Sequence, residues 1–284
     1  GLSALRQADV VLAGLDSVNA RWALNRRCIL VGVPWIDGGI GAAQGQATRY
    51  VPGRGACYEC TFSAATLRRF NARYSCTGLV RRAAAPAVPT TAITASLVAA
   101  LQVHDALRLL HDPASGLPPG HRLTVLLDGQ RQIVDELPVD PMCAAHAASV
   151  APTTALDAGA AELTCADVAS AAGIAGAVDL GFDLVAAFAC RRCGRREDVG
   201  RPAALVYDDE SGCPACGAAR RVDSASLVGP GSPFWRRSLA SLGVADYEFL
   251  RVVDDGGAAT WVEIGGADPW HIVTTQATGE GDDG

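Results

Sequence analysis

The pattern of apolar and polar positions along the chain predicts a mixed α/β protein. Residues 8–16 form an almost continuous apolar run that ends at Asp16, which is typical of a strand buried on both faces of a parallel sheet. Helical spacing follows over residues 20–31, with Ser17 or Asn19 available as the N-cap, and then comes a second short strand. Strand, helix and strand at this spacing predict a crossover unit of a parallel sheet.

The remaining periodicity predicts two different halves. The first half continues with a glycine-rich bent strand (38–50), a polar crossover segment (64–74), a long, mostly buried helix (90–111) and two strands (123–127 and 132–137). The second half contains a short helix (165–172), an apolar strand (182–188), a further helix (233–242) and a hairpin (247–253 with 259–264). The first half therefore reads as an α/β domain and the second as a small β domain.

A stretch rich in Ala, Ser, Thr and Pro divides the chain. We interpret residues 147–160 as a linker between a domain over residues 1–146 and a second domain over residues 161–274. Residues 275–284 are acidic and are expected to be disordered. A length of 284 residues fits two domains.

Composition and charge narrow the classes of partner. The chain is 49% hydrophobic and 19% charged, so it can form a core, and its net charge of −6 argues against nucleic acid or an anionic membrane as the main partner. All 24 basic residues are arginine, so no lysine is present to contact a phosphate or form a Schiff base. The longest apolar run contains Asp105 and Arg108, which argues against a membrane span. Arg6 and Asp9 interrupt any signal peptide, so we expect a cytoplasmic protein.

Seven of the ten cysteines are spaced as metal ligands rather than as a disulfide framework. Six belong to C-x-x-C pairs and a seventh begins a C-x-x-H, which is the spacing of zinc sites in a reducing cytosol. Two sets of four follow: Cys57, Cys60, Cys143 and His146, and the zinc-ribbon pattern of Cys190, Cys193, Cys213 and Cys216. Unrelated core cysteines remain the alternative for the first set. Both sites would be structural, because four protein ligands leave zinc no open position.

Asp16 has two possible roles. It follows the first strand, and ligands of parallel sheets gather at the carboxyl ends of strands, so its carboxylate is a candidate ligand for Mg²⁺ or for a nucleotide hydroxyl. An exposed aspartate at this position is otherwise most often a helix cap. Position alone leaves both interpretations open.

Several motifs in residues 8–146 together resemble one superfamily. Asp16-Ser17-Val-Asn-Ala-Arg21-Trp-Ala-Leu-Asn25 is similar to D-[NS]-x₃-R-x₃-N, Gln44-Gly45-Gln46 to an [EQ]-G-Q strand, and Gly55-Ala-Cys57-Tyr-Glu-Cys60 to a G-x-C-Y-x-C zinc half-site. These are motifs of the ThiF/MoeB/HesA superfamily of ubiquitin-activating-type adenylyltransferases. The second half-site is usually C-x-x-C, so Cys143-x-x-His146 departs from the family at the fourth ligand.

The resemblance implies a fold and a set of roles. It implies a doubly wound Rossmann-like sheet, with Asp16 near the phosphates of Mg²⁺–ATP and with Arg21 and Asn25 as further cofactor-binding residues. Cys76, within Ser75-Cys76-Thr77-Gly78, falls where these enzymes carry their acceptor cysteine. The family's phosphate loop and lysine would lie upstream of residue 1, so we expect an N-terminally truncated domain that binds ATP weakly by itself. A buried, inert Cys76 is the alternative to an acceptor.

Three functions compete at this point. The first is ATP-dependent adenylation of the C-terminal glycine of a ubiquitin-like or sulfur-carrier protein, with thioester or persulfide transfer at a cysteine, in a homodimer or heterodimer. The second is adenylation of a small molecule or peptide on the same fold. The third is a non-catalytic zinc-binding adaptor that leaves the chemistry to another chain. The zinc ribbon and the hairpin favour a macromolecular partner.

Overall fold

The computed structural model describes residues 1–62, 79, 90–147 and 152–266, which form two compact units. The first, here called the α/β unit, comprises residues 5–62 and 90–147. The second, here called the β-rich unit, comprises residues 152–266 together with residues 1–4 and Leu79. A mixed α/β chain with two sheets was predicted and is confirmed.

The α/β unit is built on a five-stranded sheet in the order β1-β2-β3-β4-β5. The first pair is parallel and the other pairs are antiparallel. Helix α1 (Leu2–Arg6) begins in the β-rich unit and ends in the α/β unit. The other elements of the α/β unit are, in chain order, β1 (Val11–Ala13), α2 (Val18–Val31), β2 (Trp35–Ile40), β3 (Gln44–Tyr50), α3 (Ala92–His111), β4 (His121–Leu126) and β5 (Arg131–Glu136).

The predicted crossover unit is present at the start of this sheet. β1 and β2 are parallel, with Val11 opposite Trp35, and α2 connects them. Ser17, rather than Asn19, is the N-cap, because its hydroxyl accepts a hydrogen bond from the backbone N–H of Ala20 at 3.1 Å. The helix ends at Gly32, whose φ of 75° lies in the left-handed region that glycine adopts without strain.

Helices α2 and α3 cover opposite faces of the sheet. The carboxylate of Asp37 in β2 bonds to Arg21 of α2. The next residue, Gly38, approaches α3 so closely that a Cβ there would lie 2.6 Å from Oε1 of Gln102. Successive residues of a strand face opposite sides of a sheet, so the two helices lie on its two faces. Helices on both faces are the feature that this sheet shares with the predicted doubly wound arrangement, although three of its four strand pairs are antiparallel.

Helix α3 is less buried than its periodicity predicts. Thr94, Val98 and Gln102 face the sheet, and Arg49 of β3 makes a buried ion pair with Asp105. The opposite side of the helix is apolar but exposed: Ile93 is 70% exposed, and Val103, Leu107 and Leu110 are about half exposed. The prediction of a mostly buried helix was wrong, because one face alone contacts the sheet. This is also the one described helix that is long and apolar enough to cross a bilayer.

The β-rich unit contains a six-stranded sheet in the order β6-β11-β10-β7-β8, with β9 paired to β7. Strand β7 is long: its first part pairs with β10, and its second part forms a three-stranded ribbon with β8 and β9. The elements are β6 (Pro152–Leu156), α4 (Cys165–Ala172), β7 (Gly176–Ala189), β8 (Arg196–Pro202), β9 (Arg221–Val228), β10 (Phe249–Asp254) and β11 (Ala259–Ile264).

Two segments of this unit differ from the sequence prediction. Part of the predicted linker 147–160 is strand β6, which pairs in parallel with β11. The predicted helix 233–242 is a series of turns with one 3₁₀ turn, Ala240–Leu242. Its backbone bonds instead to the chain before α4, since the N–H of Leu239 donates to the carbonyl of Leu163 at 2.8 Å. That tertiary pairing prevails over the helical spacing of the apolar residues.

Leu79 is part of the β-rich unit although it lies more than 100 residues before the ribbon strands. It is fully buried in a small cluster with Val185, Phe188 and Val206. The ribbon end of the unit therefore completes its packing with a side chain from the first half of the sequence. The predicted division of the chain into two domains at residues 147–160 does not account for the packing of Leu79 in the β-rich unit.

Candidate functional site

The first candidate metal centre lies at the edge of the α/β unit and is made by two short turns. Cys57 and Cys60 flank the start of the 3₁₀ turn Glu59–Thr61, and Cys143 and His146 lie on the turn around Ala144–Ala147. Each pair closes in the same way, because the N–H of the second ligand donates to the carbonyl of the first, at 3.2 Å in both turns. The four side chains therefore converge on one point.

The spacing of the four donor atoms fits zinc. Cys57 Sγ lies 3.8 Å from Cys60 Sγ and 3.6 Å from Cys143 Sγ, and Cys60 Sγ lies 3.4 Å from Nε2 of His146. With Zn–S bonds of about 2.3 Å, neighbouring sulfurs of a tetrahedral site are about 3.8 Å apart. A disulfide would require about 2.05 Å. The donor set also fits, since thiolate and imidazole are the ligands that zinc prefers.

Burial makes the thiols of this centre reluctant to ionise without a metal. Burial raises the pKa of Cys57 to about 12, and it also raises the pKa of Cys143. Zinc binds thiolates, so metal binding here must release protons to solvent. Affinity for zinc at this centre should therefore increase with pH.

Helix α2 clamps the loop that carries the first two ligands. The side chain of Asn25 is fully buried; its Oδ1 accepts from the N–H of Tyr58 at 3.1 Å and its Nδ2 donates to Glu59 at 3.3 Å. Arg26 forms a two-pronged pair with Glu59, at 2.9 and 3.0 Å. The sequence motifs did not predict the pair of Arg26 and Glu59. The one signal that could have indicated it is the acidic residue inside Cys57-Tyr-Glu-Cys60, which needs a basic partner when it is buried. Asn25, predicted to bind cofactor, has both amide atoms engaged by this loop.

Arg21 is also engaged inside the unit. Its Nε donates to Oδ1 of Asp37 at 2.7 Å and its second nitrogen donates to the carbonyl of Gly38 at 2.8 Å. Asp37 is nearly fully buried, and burial raises the pKa of its carboxyl despite the opposing effect of Arg21. Arg21 thus fixes α2 against β2. Its cofactor-binding role remains a prediction.

Asp16 is exposed just beyond the carboxyl end of β1. Because Ser17 caps α2, the capping role that competed for Asp16 is filled by its neighbour. No Cβ contact would arise at Gly14, so the space beside this end of the strand is open. The Asp16 carboxylate makes no hydrogen bond or ion pair to another residue in the ranges that the structure describes. It is therefore available to a ligand.

The second candidate metal centre lies at the tip of the ribbon and is built from two equivalent knuckles. Cys190 Sγ lies 3.6 Å from Cys216 Sγ, and Cys193 Sγ lies 3.6 Å from Cys213 Sγ. Each knuckle turns at a glycine with positive φ, Gly194 (75°) and Gly217 (71°). The N–H of each glycine donates to the carbonyl of the first cysteine of its pair, at 3.0 and 2.8 Å. Glycine is suited to both positions, because other side chains rarely adopt this conformation.

The four thiols of this centre divide into two pairs. Backbone N–H groups act on all four, but neighbouring thiols raise the pKa of Cys193 and raise that of Cys216 to about 12, whereas backbone N–H groups favour the thiolates of Cys190 and Cys213. The N–H of Cys193 lowers the pKa of Cys190 to about 6, and the N–H of Ala215 lowers the pKa of Cys213. The donor set is four cysteines, the set of structural zinc sites. The structure thus brings together all eight predicted ligands in their two predicted groups. The remaining predicted residue, Cys76, lies outside the described residues.

Comparison with known proteins identifies relatives of the first half. The model of the ThiF family matches residues 1–145. Among curated proteins, the chain is 38% identical over 61 residues to adenylyltransferase and sulfurtransferase MOCS3 of Culex quinquefasciatus, covering 22% of this chain and 14% of that protein. It is 37% identical over 60 residues to SUMO-activating enzyme subunit 2 of Dictyostelium discoideum, covering 21% of this chain and 9% of that protein. The chain thus spans a small part of these relatives.

Solved structures match about half of this chain. The crystal structure of E. coli MccB matches with a TM-score of 0.39 and 20% identity, covering 51% of this chain and 42% of that one. The structure of PaaA matches with a TM-score of 0.34 and 12% identity, covering 48% of this chain and 38% of that one.

Proposed function

Because the chain belongs to the ThiF family, we propose that it contributes to an enzyme that uses ATP to adenylate the C-terminal glycine of a ubiquitin-like or sulfur-carrier protein. In this reaction a carboxylate oxygen bonds to the α-phosphorus of ATP, and the bond to the departing pyrophosphate breaks. The acyl-adenylate that results can be captured by a thiolate, with AMP as the leaving group. The unpartnered carboxylate at the open end of β1 supports this proposal.

Asp16 is the observation that carries the proposal. It is a carboxylate without a protein partner in the described ranges, it follows a parallel strand, and it lies one residue before the N-cap of α2. Carboxylates are the hard oxygen ligands that Mg²⁺ prefers, so this donor fits the ion. Mg²⁺, when bound, neutralises phosphate charge as pyrophosphate leaves. Asp16 would hold the ion at the end of the strand, where ligands of such sheets bind.

Arg21 and Asn25 hold the helix that begins next to Asp16. Arg21 ties α2 to β2, and Asn25 ties it to the zinc loop. The helix that begins next to Asp16 is therefore held at two points along its length. In this proposal both residues act as positioning residues for the nucleotide end of the sheet, and the first zinc site is structural.

Cys76 is proposed as the acceptor of the activated acyl group. Its thiolate would attack the acyl carbon, form a thioester and release AMP. A thiol needs a lowered pKa and exposure to react in this way. Cys28 and Cys165 provide internal references, since burial raises the pKa of each to about 12. Iodoacetamide should alkylate Cys76 faster than either, and equal rates would remove Cys76 from the mechanism.

ATP–pyrophosphate exchange tests the proposal. The assay uses the full-length gene product and a carrier protein that ends in glycine. Asp16→Asn should abolish exchange, because the amide does not supply the anionic ligand. Asp9→Asn is the matched control, since Asp9 is an exposed aspartate that precedes β1 rather than following it. This variant should retain exchange. Retained exchange in Asp16→Asn would exclude the role given to Asp16. Failure of the unaltered protein to exchange with any carrier or peptide would favour the adaptor function.

A further inference from the structure

The ribbon tip carries a compact group of arginines. Arg191 and Arg192 lie between Cys190 and Cys193, and Arg195 follows Gly194, so three guanidinium groups occupy one knuckle. All three residues are exposed. The chain as a whole has a net charge of −6, so this concentration of positive charge is a local exception. We call Arg191, Arg192 and Arg195 the arginine knuckle.

Neighbouring arginines have carboxylate partners, whereas the described residues include none for the arginine knuckle. Arg196 pairs with Asp223 at 2.7 Å, and Arg221 pairs with the same carboxylate at 2.8 Å. The nearby Glu197 is taken by Arg220. For the three arginines of the knuckle, no carboxylate lies within ion-pair distance in the ranges that the structure describes. The acidic groups of the ribbon are thus already engaged, and the knuckle's donors face solvent.

The knuckle is also held in a fixed shape. The N–H of Cys190 donates to the carbonyl of Arg195 at 2.8 Å, which closes the loop on itself. Zinc would fix both cysteines of the loop. A centre of four thiolates and Zn²⁺ has a charge of −2. Cys190 is almost completely buried, whereas Cys193, between Arg192 and Arg195, is exposed, so the three arginines exceed the charge of the centre by one unit. Each guanidinium has five N–H donors and no acceptor, and all three side chains are exposed, so these donors are accessible to a ligand.

We propose that the arginine knuckle is a docking surface for an acidic segment of a partner protein. Arginine binds carboxylates through two parallel hydrogen bonds, which lysine does not do. A rigid loop loses little conformational entropy when it binds. The arginine knuckle belongs to the β-rich unit, whereas Asp16 and the first metal centre belong to the α/β unit, and the proposal uses none of the residues proposed for adenylation.

Two observations favour carboxylates over nucleic acid as the occupant. Nucleic acid is usually bound along a basic groove that follows its backbone, whereas this chain has a net charge of −6 and the three arginines of the knuckle lie within five residues, an extent that suits a short acidic segment. Single-stranded nucleic acid also needs aromatic faces on which bases stack. Within the described part of the ribbon strands, the aromatic ring of Phe188 is buried, and the guanidinium of Arg220 covers it at 4.4 Å.

Fluorescence anisotropy on the zinc-loaded full chain tests the proposal. The probes are a fluorescein-labelled glutamate-rich peptide and a labelled single-stranded DNA of similar length. The triple variant Arg191→Gln, Arg192→Gln and Arg195→Gln should weaken peptide binding about tenfold. The matched control changes three exposed arginines elsewhere, Arg54, Arg131 and Arg236, to Gln. Its net charge falls by the same three units, yet its peptide affinity should change less than about twofold.

Three outcomes would overturn the proposal. One is equal weakening in both triple variants, which would show attraction by overall charge alone. Another is the absence of measurable peptide binding to the unaltered chain at low salt. The third is DNA binding that is tighter than peptide binding and is lost in the knuckle variant. Zinc content is measured for every variant; if the triple variant does not retain zinc, Arg192→Gln alone should weaken peptide binding about twofold, and unchanged binding would overturn the proposal.

Discussion

The two candidate metal centres have nearly the same donor spacing but are built in opposite ways. The first joins turns that are 86 residues apart in sequence, and helix α2 clamps one of them through Asn25 and Arg26. The second joins two adjacent knuckles, 20 to 26 residues apart, whose shape comes from their own backbone hydrogen bonds. The first centre is therefore a cross-link within an existing fold. The second is the main organiser of its own surroundings.

The surrounding cores explain this difference. Near the first centre, Trp35 stacks on Tyr50 with centroids 4.7 Å apart, and Tyr58 packs edge-on against both rings. The ribbon end has only a small cluster around Phe188, to which Leu79 contributes. A larger core needs less help from a metal. The four predictions that follow test this contrast.

The largest effect is expected from removing each metal in turn. Cys213→Ser should lose one of two zinc ions and expose β8 with the adjoining parts of β7 and β9, because structural zinc contributes on the order of 10 kcal/mol of apparent free energy in small domains. Cys57→Ser should also lose one zinc ion but keep sheet β1–β5 protected. Elemental analysis and hydrogen exchange measure both. Equal loss of protection in the two units would contradict the contrast.

Leu79→Ala should be the next largest effect. Removing a fully buried leucine leaves a cavity and costs about 2–5 kcal/mol of unfolding free energy. The loss should fall on the β-rich unit, because that is where Leu79 packs. Leu110→Ala is the matched control: this side chain is 50% exposed, so the change should be within about 0.5 kcal/mol. Denaturant unfolding followed by hydrogen exchange assigns the loss; a loss confined to the α/β unit would exclude the anchoring role.

Asn25→Ala tests the clamp on the first centre. It leaves the N–H of Tyr58 without its partner and should cost about 1–3 kcal/mol. Zinc affinity at the first centre should fall about 10–100-fold, as for other groups that orient metal ligands, while the second centre is unchanged. Arg26→Gln should cost less than about 1 kcal/mol, since Arg26 is 41% exposed. Competition with a chelator measures both affinities, and a parallel fall at the two centres would contradict this assignment.

Local features of the molecule could be predicted well from the sequence, and long-range ones poorly. The spacing within each cysteine pair is a local property, so the amino-acid sequence alone is enough to group the residues of both ligand sets. The strand–helix–strand unit around α2 is equally local. By contrast, the contact of Asn25 with Tyr58 joins residues 33 apart, and the packing of Leu79 on Phe188 joins residues more than 100 apart. Hydrophobic periodicity does not predict such contacts, because they depend on which distant segments pack together in the folded protein.

The smallest effect concerns two buried thiols, one in each unit, that bind no metal in the proposed scheme. Burial raises the pKa of both Cys28 and Cys165 from 9.0 to about 12. Above pH 9 the unfolded thiol ionises while the folded thiol remains protonated to about pH 12, so stability decreases as pH rises. The loss for each thiol is about 1 kcal/mol between pH 9 and 10 and approaches about 1.4 kcal/mol per pH unit above that. Cys28→Ala should remove that much of the slope in the α/β unit, and Cys165→Ala should do the same in the β-rich unit. Denaturant midpoints at several pH values measure the slopes. Equal changes in the two units would confine their difference to the metal centres, whereas an unchanged slope in either variant would show that its thiol already ionises in the folded protein.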